Sequence, residues 1–172
     1  MTENIVIVKV DSDYCDYLRK FDKKVAYNKD EKSLRPFVGI LFTVNDMEYY
    51  APLSSPKKKF LTMRDDKVDF IKIEGGKFGA VNFNNMIPVC KNNYELIDLD
   101  DSNTITNHEW KYKQLLKYQL TWLNKNVNQI RGKSSVLYSS YTNNKLPNYV
   151  KDRCCNFSLL EEKCKIYNRK NK

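Results

Sequence analysis

The chain runs to 172 residues, with 30 Lys/Arg against 21 Asp/Glu, a formal net charge of +9, 12 Tyr, one His, and five each of Cys, Gly and Pro. This balance excludes a collagenous chain, a disulfide-built scaffold and wholesale disorder, because glycine and cysteine are sparse and the aromatic residues supply the burial that disordered chains lack. The length predicts a single domain over residues 1–172, without an internal repeat.

The charge is unevenly spread. Residues 1–50 hold 8 Lys/Arg and 9 Asp/Glu, residues 51–100 hold 8 and 7, and residues 101–172 hold 14 and 5, so the net charges are −1, +1 and +9. A basic surface attracts nucleic acid and anionic membranes by the same electrostatics, and a merely solvated lysine-rich surface has the same composition. No run approaches the ~18 apolar residues of a membrane span. MTENIVIVKV lacks the basic and apolar segments of a secretory signal, so a cytoplasmic protein is expected. Cys15, Cys90, Cys154, Cys155 and Cys164 contain no C-x-x-C pair, and reduced thiols are expected rather than a zinc site.

Along the chain, IVIVKV (5–10) reads as a strand. Ser12 is placed to cap a short helix whose stripe is Tyr14, Tyr17, Leu18 and Phe21. A polar connection follows over 28–33. FVGILFTV (37–44) and MEYYAPL (47–53) predict a hairpin turning at Asn45–Asp46. VDFIKI (68–73) and GAVNF (79–83) predict a second hairpin around Glu74–Lys77, whose glycines accept positive φ. MIPV (86–89) is a short strand limited by Pro88.

The last third reads as helical. One long amphipathic helix is expected from His108 to Arg131, with Tyr112, Leu115, Leu116, Gln119, Leu120, Leu123, Val127 and Ile130 on its apolar face and Lys111, Lys117 and Lys125 largely off it. Residues 138–156 are polar and read as loop or short helix. A final helix is expected from Ser158, where Ser158 and Glu161 match a capping box, followed by a frayed tail over 168–172.

Three sets of residues could bear chemistry. His108, the only histidine, opens the long helix and suits a cap or surface role better than catalysis. Asp65, Asp66 and Asp69 form the densest acidic cluster, but two-metal nucleases need convergent carboxylates, and adjacent residues point apart, so no metal is expected. In YYAPLSSPKKK (49–59) a strand runs into Ser54, Ser55, Pro56, Lys57, Lys58 and Lys59. Hydroxyls and ammonium groups at a strand end suit a phosphodiester, whose transition state gains negative charge. The same string also describes an ordinary Ser-Pro turn with a solvated lysine run.

YYAPLSSPKKK, with FVGI upstream and GAVNFNNMIPV, KYKQLLKYQL and NFSLLEEK downstream in the same order, resembles the ToxN/AbiQ family of type III toxin–antitoxin and phage abortive-infection endoribonucleases. The resemblance spans about Tyr14 to Lys163. It implies an α+β fold with a twisted, antiparallel, partly barrel-like sheet and packed helices, similar to the MazF/Kid toxin core. It further implies RNA cleavage without metal or other cofactor, leaving a 2′,3′-cyclic phosphate and a 5′-hydroxyl. The partner implied is a repeated, pseudoknotted small RNA antitoxin, processed by the toxin and bound in a closed protein–RNA assembly, with no protein antitoxin.

Residue by residue, the family's A-P-L-[ST]-S-P-K motif falls on Ser54, Ser55 and Lys57, its first-helix tyrosine on Tyr14, and its basic residue before the F-[IV]-G-I strand on Arg35. A further family tyrosine has no counterpart, since its place falls near Glu31. On this reading Lys57 and Arg35 stabilise the phosphorane, Ser54 and Ser55 hydrogen-bond its oxygens, and Tyr14 orients substrate or helps move a proton. Lys58, Lys59, Lys111, Lys117, Lys125, Arg131 and Lys133 are expected to hold RNA backbone. Two rivals remain: a binder of single-stranded RNA without cleavage, and a metal-dependent nuclease using Asp65, Asp66 and Asp69.

Overall fold

The computed structural model describes residues 3–26, 35–104 and 106–170. The polar connection expected over 28–33, the Glu31 position and the last two residues of the expected tail lie outside the described residues.

The strands are β1 (Val6–Val10), β2 (Phe37–Gly39), β3 (Thr43–Val44), β4 (Met47–Ser54), β5 (Phe70–Lys72), β6 (Ala80–Asn82), β7 (Ile87–Val89) and β8 (Tyr94–Leu96). The helices are α1 (Ser12–Arg19), α2 (Lys58–Thr62), α3 (Asn107–Lys125), α4 (Val127–Thr142), α5 (Asn148–Lys151) and α6 (Phe157–Lys170). All strand pairs are antiparallel, in the order β5-β6-β4-β2-β1-β8, and β3 and β7 also pair with β4. The fold is therefore α+β, with an antiparallel sheet and helices packed on it.

Both expected hairpins form for the reasons their sequences give. Val44 pairs with Met47 across a two-residue turn in which Asn45 (φ 48°) and Asp46 (φ 67°) take the left-handed values that a tight hairpin needs. Phe70–Lys72 pairs with Ala80–Asn82 about the Glu74–Gly76 turn.

Every residue of β4 is buried. Alternation sends Met47, Tyr49, Ala51 and Leu53 to one face, where Tyr49 meets the rings of Tyr138 on α4 and Phe157 on α6. Glu48, Tyr50, Pro52 and Ser54 share the other face. On that side the Tyr50 ring lies 5.1 Å from the ring of Tyr94 on β8, although β2 and β1 intervene in the strand order. In a flat sheet those backbones would stand ~14 Å apart, and the Tyr50 ring reaches over Gly39 of β2 towards Tyr94.

Four expectations are corrected. The single helix expected over 108–131 is two helices, α3 and α4, broken at Asn126 (φ −119°, ψ 24°), whose side-chain amide donates to the Trp122 carbonyl at 2.8 Å. The apolar pattern runs through the break because Leu123 and Ile130 enter the same core. Much of the expected loop after Tyr138 is helical, since α4 continues to Thr142 and α5 follows. In α1 the buried residues are Tyr14, Cys15 and Leu18, while Phe21 lies beyond the helix and is exposed.

The fourth correction concerns the start of α6. Asn156 accepts from the Leu159 amide at 3.2 Å, whereas the Glu161 carboxylate turns inward and accepts from Tyr49 at 2.7 Å and Tyr138 at 2.6 Å. Burial and then Glu161 push both phenols up, so both remain donors. Cys15, Cys154, Cys155 and Cys164 are buried free thiols, and burial pushes Cys15 and Cys164 up to about 12. Among the described residues no helix is long and apolar enough to cross a membrane.

Glu161→Ala leaves two tyrosine hydroxyls without their acceptor and should cost about 2–4 kcal/mol in urea unfolding, whereas Glu162→Ala on the exposed side should stay within about 0.5 kcal/mol.

Candidate active site

Strand β4 ends at Ser54, which pairs with Ala80 of β6. On the other flank Phe37 pairs with Pro52, and the Leu53 amide donates to the Pro36 carbonyl at 2.8 Å. One further step in that register sets Arg35 across from Ser54. Opposed residues of antiparallel strands share a face and lie ~4.5–5.5 Å apart at Cα. Ser54 and Ala80 thus form one row, and Arg35, which precedes β2, falls at the same end of β4 if that register continues.

Asn82 is two residues past Ala80 and faces the same side. Its amide donates to Ser54 Oγ at 2.8 Å. That bond occupies an acceptor lone pair and leaves the hydroxyl proton available to another acceptor. Ser54 is 5% exposed and forms the floor of the site, whereas Ser55 is exposed.

The turn of the second hairpin closes tightly against this pair. A Cβ on Gly79 (φ 101°) would lie 2.0 Å from the Ser54 carbonyl oxygen and 3.2 Å from the Ser55 carbonyl carbon, so only glycine lets the two backbones meet. After Pro56, Lys57 is extended (φ −140°, ψ 145°) and leads into α2. Phe60 of α2 is buried with Phe70 and Ala80, which fixes the lysine turn over the face that holds Ser54. Lys57, Lys58 and Lys59 are all exposed, and no ion pair among the described residues engages them.

Tyr14 is not brought to this cluster. It is fully buried and its hydroxyl donates to the Pro88 carbonyl at 2.6 Å. Pro88 pairs with Tyr49, five positions before Ser54 on β4 or ~16 Å along the strand. Burial, followed by the neighbouring Cys164, pushes the phenol well above its usual value. Its proton is held in the core.

The acidic trio does not converge. Asp65 pairs with Lys72 at 3.0 Å, Asp66 with Arg64 at 2.6 Å and Asp69 with Arg153 at 2.9 Å. Among the described residues no three His, Cys, Asp or Glu side chains gather to hold a metal ion. His108 is exposed in the first turn of α3, and the cap is Thr106, which accepts from the Glu109 amide.

The expected RNA-holding cations divide in the same way. Lys111 and Lys125 are exposed on α3, whereas Lys117 pairs with Asp101 at 2.8 Å and Arg131 donates to the Ile40 carbonyl at 3.0 Å. Lys133 is half-buried, and burial pushes its ammonium down while Asp69, Asp65 and Asp66 pull it up. Sequence reasoning missed Asn82 and Gly79. Strand parity from Ala80 would have found Asn82, a polar residue on a face otherwise set to be buried.

Gly79→Ala should lower stability by about 2 kcal/mol or more, and Gly75→Ala, which meets nothing within 4 Å, by about 1 kcal/mol, both measured by chemical denaturation.

The profile of the family described as "Toxin ToxN, type III toxin-antitoxin system" matches residues 6–165. The chain is 32% identical over 166 residues to the endoribonuclease ToxN of Bacillus thuringiensis subsp. kurstaki, covering 94% of this chain and 84% of that protein. It is 32% identical over 171 residues to the endoribonuclease AbiQ of Lactococcus lactis subsp. lactis, covering 94% and 88%.

Its structure is similar to that of AbiQ, a lactococcal anti-phage endoribonuclease of a type III toxin–antitoxin system, with a TM-score of 0.82 at 26% identity, covering 97% of this chain and 99% of that one. A structure from a type III system with selective toxin inhibition by a non-coding RNA pseudoknot gives a TM-score of 0.77 at 31% identity, covering 96% and 99%. With a family match over nearly its whole length and these relatives alongside, the chain belongs to the ToxN family of type III toxin–antitoxin toxins.

Proposed function

We propose that this chain is a single-domain, cytoplasmic endoribonuclease toxin that cuts RNA by transesterification without a metal ion. The observation that carries the reading is buried Ser54, held by Asn82, beside exposed Ser55 and Lys57 at the end of β4, in a chain of a family whose curated relatives are named endoribonucleases. The ribose 2′-oxygen attacks the adjacent phosphorus, the bond to the 5′-oxygen breaks, and the products are a 2′,3′-cyclic phosphate and a 5′-hydroxyl. Protons leave the 2′-oxygen and reach the 5′-oxygen in the same exchange.

Each residue has a part in that step. Lys57 and Arg35 offset the charge that develops on the phosphoryl oxygens, and Ser55 donates to one of them. Ser54 donates to another, its hydroxyl aimed by Asn82. Tyr14 supports the site through the core rather than touching RNA. Separate ion pairs at Asp65, Asp66 and Asp69 favour this mechanism over a carboxylate-bound metal.

The inhibitor is a repeated small RNA folded as a pseudoknot, which the toxin processes and binds in a closed protein–RNA assembly. Support comes from the related toxin whose selective inhibition is by a non-coding RNA pseudoknot. We also read the sheet as curling into a partly barrel-like core of the MazF/Kid kind, supported by the Tyr50–Tyr94 contact across two intervening strands.

Purified protein given RNA in excess chelator should produce cyclic-phosphate ends. Intact RNA would favour the non-cleaving binder, and cleavage only after adding Mg²⁺ would favour the carboxylate site. Ser55→Ala and Lys57→Ala should each slow cleavage about 100-fold or more with melting unchanged, and wild-type rates in both would overturn the site. Affinity for RNA, measured with Ser55→Ala, should fall steeply as salt rises.

A further inference from the structure

A feature of the second hairpin is not used by this chemistry. Phe78 lies immediately before Gly79, the residue pressed against the Ser54 carbonyl, and its ring stacks on Tyr118 of α3 with centroids 5.6 Å apart and planes within 6°. Tyr118 is 60% exposed despite that contact. The pair is held rigidly, because the buried side chain of Gln119, next in the helix, donates to the Phe78 carbonyl at 2.7 Å.

Cations surround the stack. The Lys77 ammonium lies 5.4 Å from the Phe78 ring centre. Lys111 and Lys125 are exposed on α3, seven residues before and after Tyr118. Seven residues make nearly two turns, so the three share one stripe at intervals of ~10.5 Å. An exposed aromatic face between ammonium groups suits a nucleobase with its flanking phosphates, since every base has a π-face.

We propose that Tyr118, backed by Phe78, is a stacking step for an unpaired base of single-stranded RNA beside the bond that is cut. This rests on the ribonuclease reading above. Phe78 is one peptide from Gly79, whose backbone lies so close to the Ser54 carbonyl that an added Cβ would clash, so the step adjoins the Ser54–Ser55 segment. A base seated there sets which phosphate reaches Ser55 and Lys57. The rigid mounting means that little ordering entropy is lost on binding.

The test uses an RNA strand carrying fluorescent 2-aminopurine next to the bond that the wild-type protein cuts, with 2′-deoxyribose at the attacking position to prevent turnover. Binding to the wild type should quench the fluorescence, and Tyr118→Ala should lose most of that quench. With a cleavable strand, Tyr118→Ala should raise KM about tenfold with kcat within twofold and melting unchanged. Tyr118→Trp should restore both readouts, and Tyr118→Leu, apolar without a π-face, should not.

Normal cleavage by the wild type together with an unchanged quench and KM in Tyr118→Ala, or full rescue by Tyr118→Leu, overturns the stacking step. Absence of cleavage by the wild type, with a Tyr118-dependent quench on RNA binding, overturns the ribonuclease reading and leaves the stacking step standing.

Discussion

The structure depends on strand β4. Its eight residues are buried on both faces, and its two flanks pair with four strands, β2 and β3 on one side and β6 and β7 on the other. A one-residue slip would exchange Tyr49 and Leu53 for Tyr50 and Ser54 on the helix-facing side, so the register is set by burial as well as by hydrogen bonds. Tyr49 alone meets Phe42, Tyr138, Phe157 and the Glu161 carboxylate. The same register that fills the core carries Ser54 to the end of the strand, with Arg35 on one flank and Ala80 on the other. The candidate site is therefore a consequence of core packing and needs no strained loop to assemble it.

Charge in this molecule serves two separate ends. The net charge of +9 suggests a broadly basic face, yet several of the cations are already engaged within the protein: Lys72, Arg64 and Arg153 by the Asp65–Asp69 loop, Lys117 by Asp101, and Arg131 by a backbone carbonyl. Lys57, Lys58 and Lys59, beside the hydroxyl pair, and Lys77, Lys111 and Lys125, around Tyr118, are exposed. These six lie beside the two ends of the proposed RNA path, while other exposed cations, such as Lys20, Lys91 and Lys145, lie elsewhere on the surface.

Local signals in the sequence were readable wherever neighbours alone decide structure. Asn45–Asp46 supplied the positive φ of the first hairpin, and the glycines after Glu74 supplied the second. In the 138–156 segment, read as loop or short helix, α4 runs on to Thr142 because Ser134 and Leu137 anchor it in the core, and α5, anchored by buried Val150, is the short helix, with turns over the rest. Strand β8 left no signal because Tyr94–Leu96 is short and its Leu96 is exposed, so its pairing with β1 depends on position alone. Glu161 matched a capping pattern, but two buried tyrosine hydroxyls competed for the same carboxylate and won.

For the candidate site, the motif proposes Ser54, Ser55 and Lys57, and the family resemblance adds Arg35 and Tyr14. What the motif could not tell was which side of each strand faced the cleft. The buried face of α1 takes Tyr14, whose hydroxyl ends on Pro88, and strand parity in β6 brings in Asn82, whose amide ends on Ser54. The most direct measurement is a crystal structure of the wild-type protein with RNA carrying 2′-deoxyribose at the attacking position. The account predicts the uncut phosphate within hydrogen-bond distance of Ser55 Oγ and Lys57 Nζ, with Arg35 on its far side. A phosphate seated on the Asp65–Asp69 loop, or anywhere away from the end of β4, would contradict it.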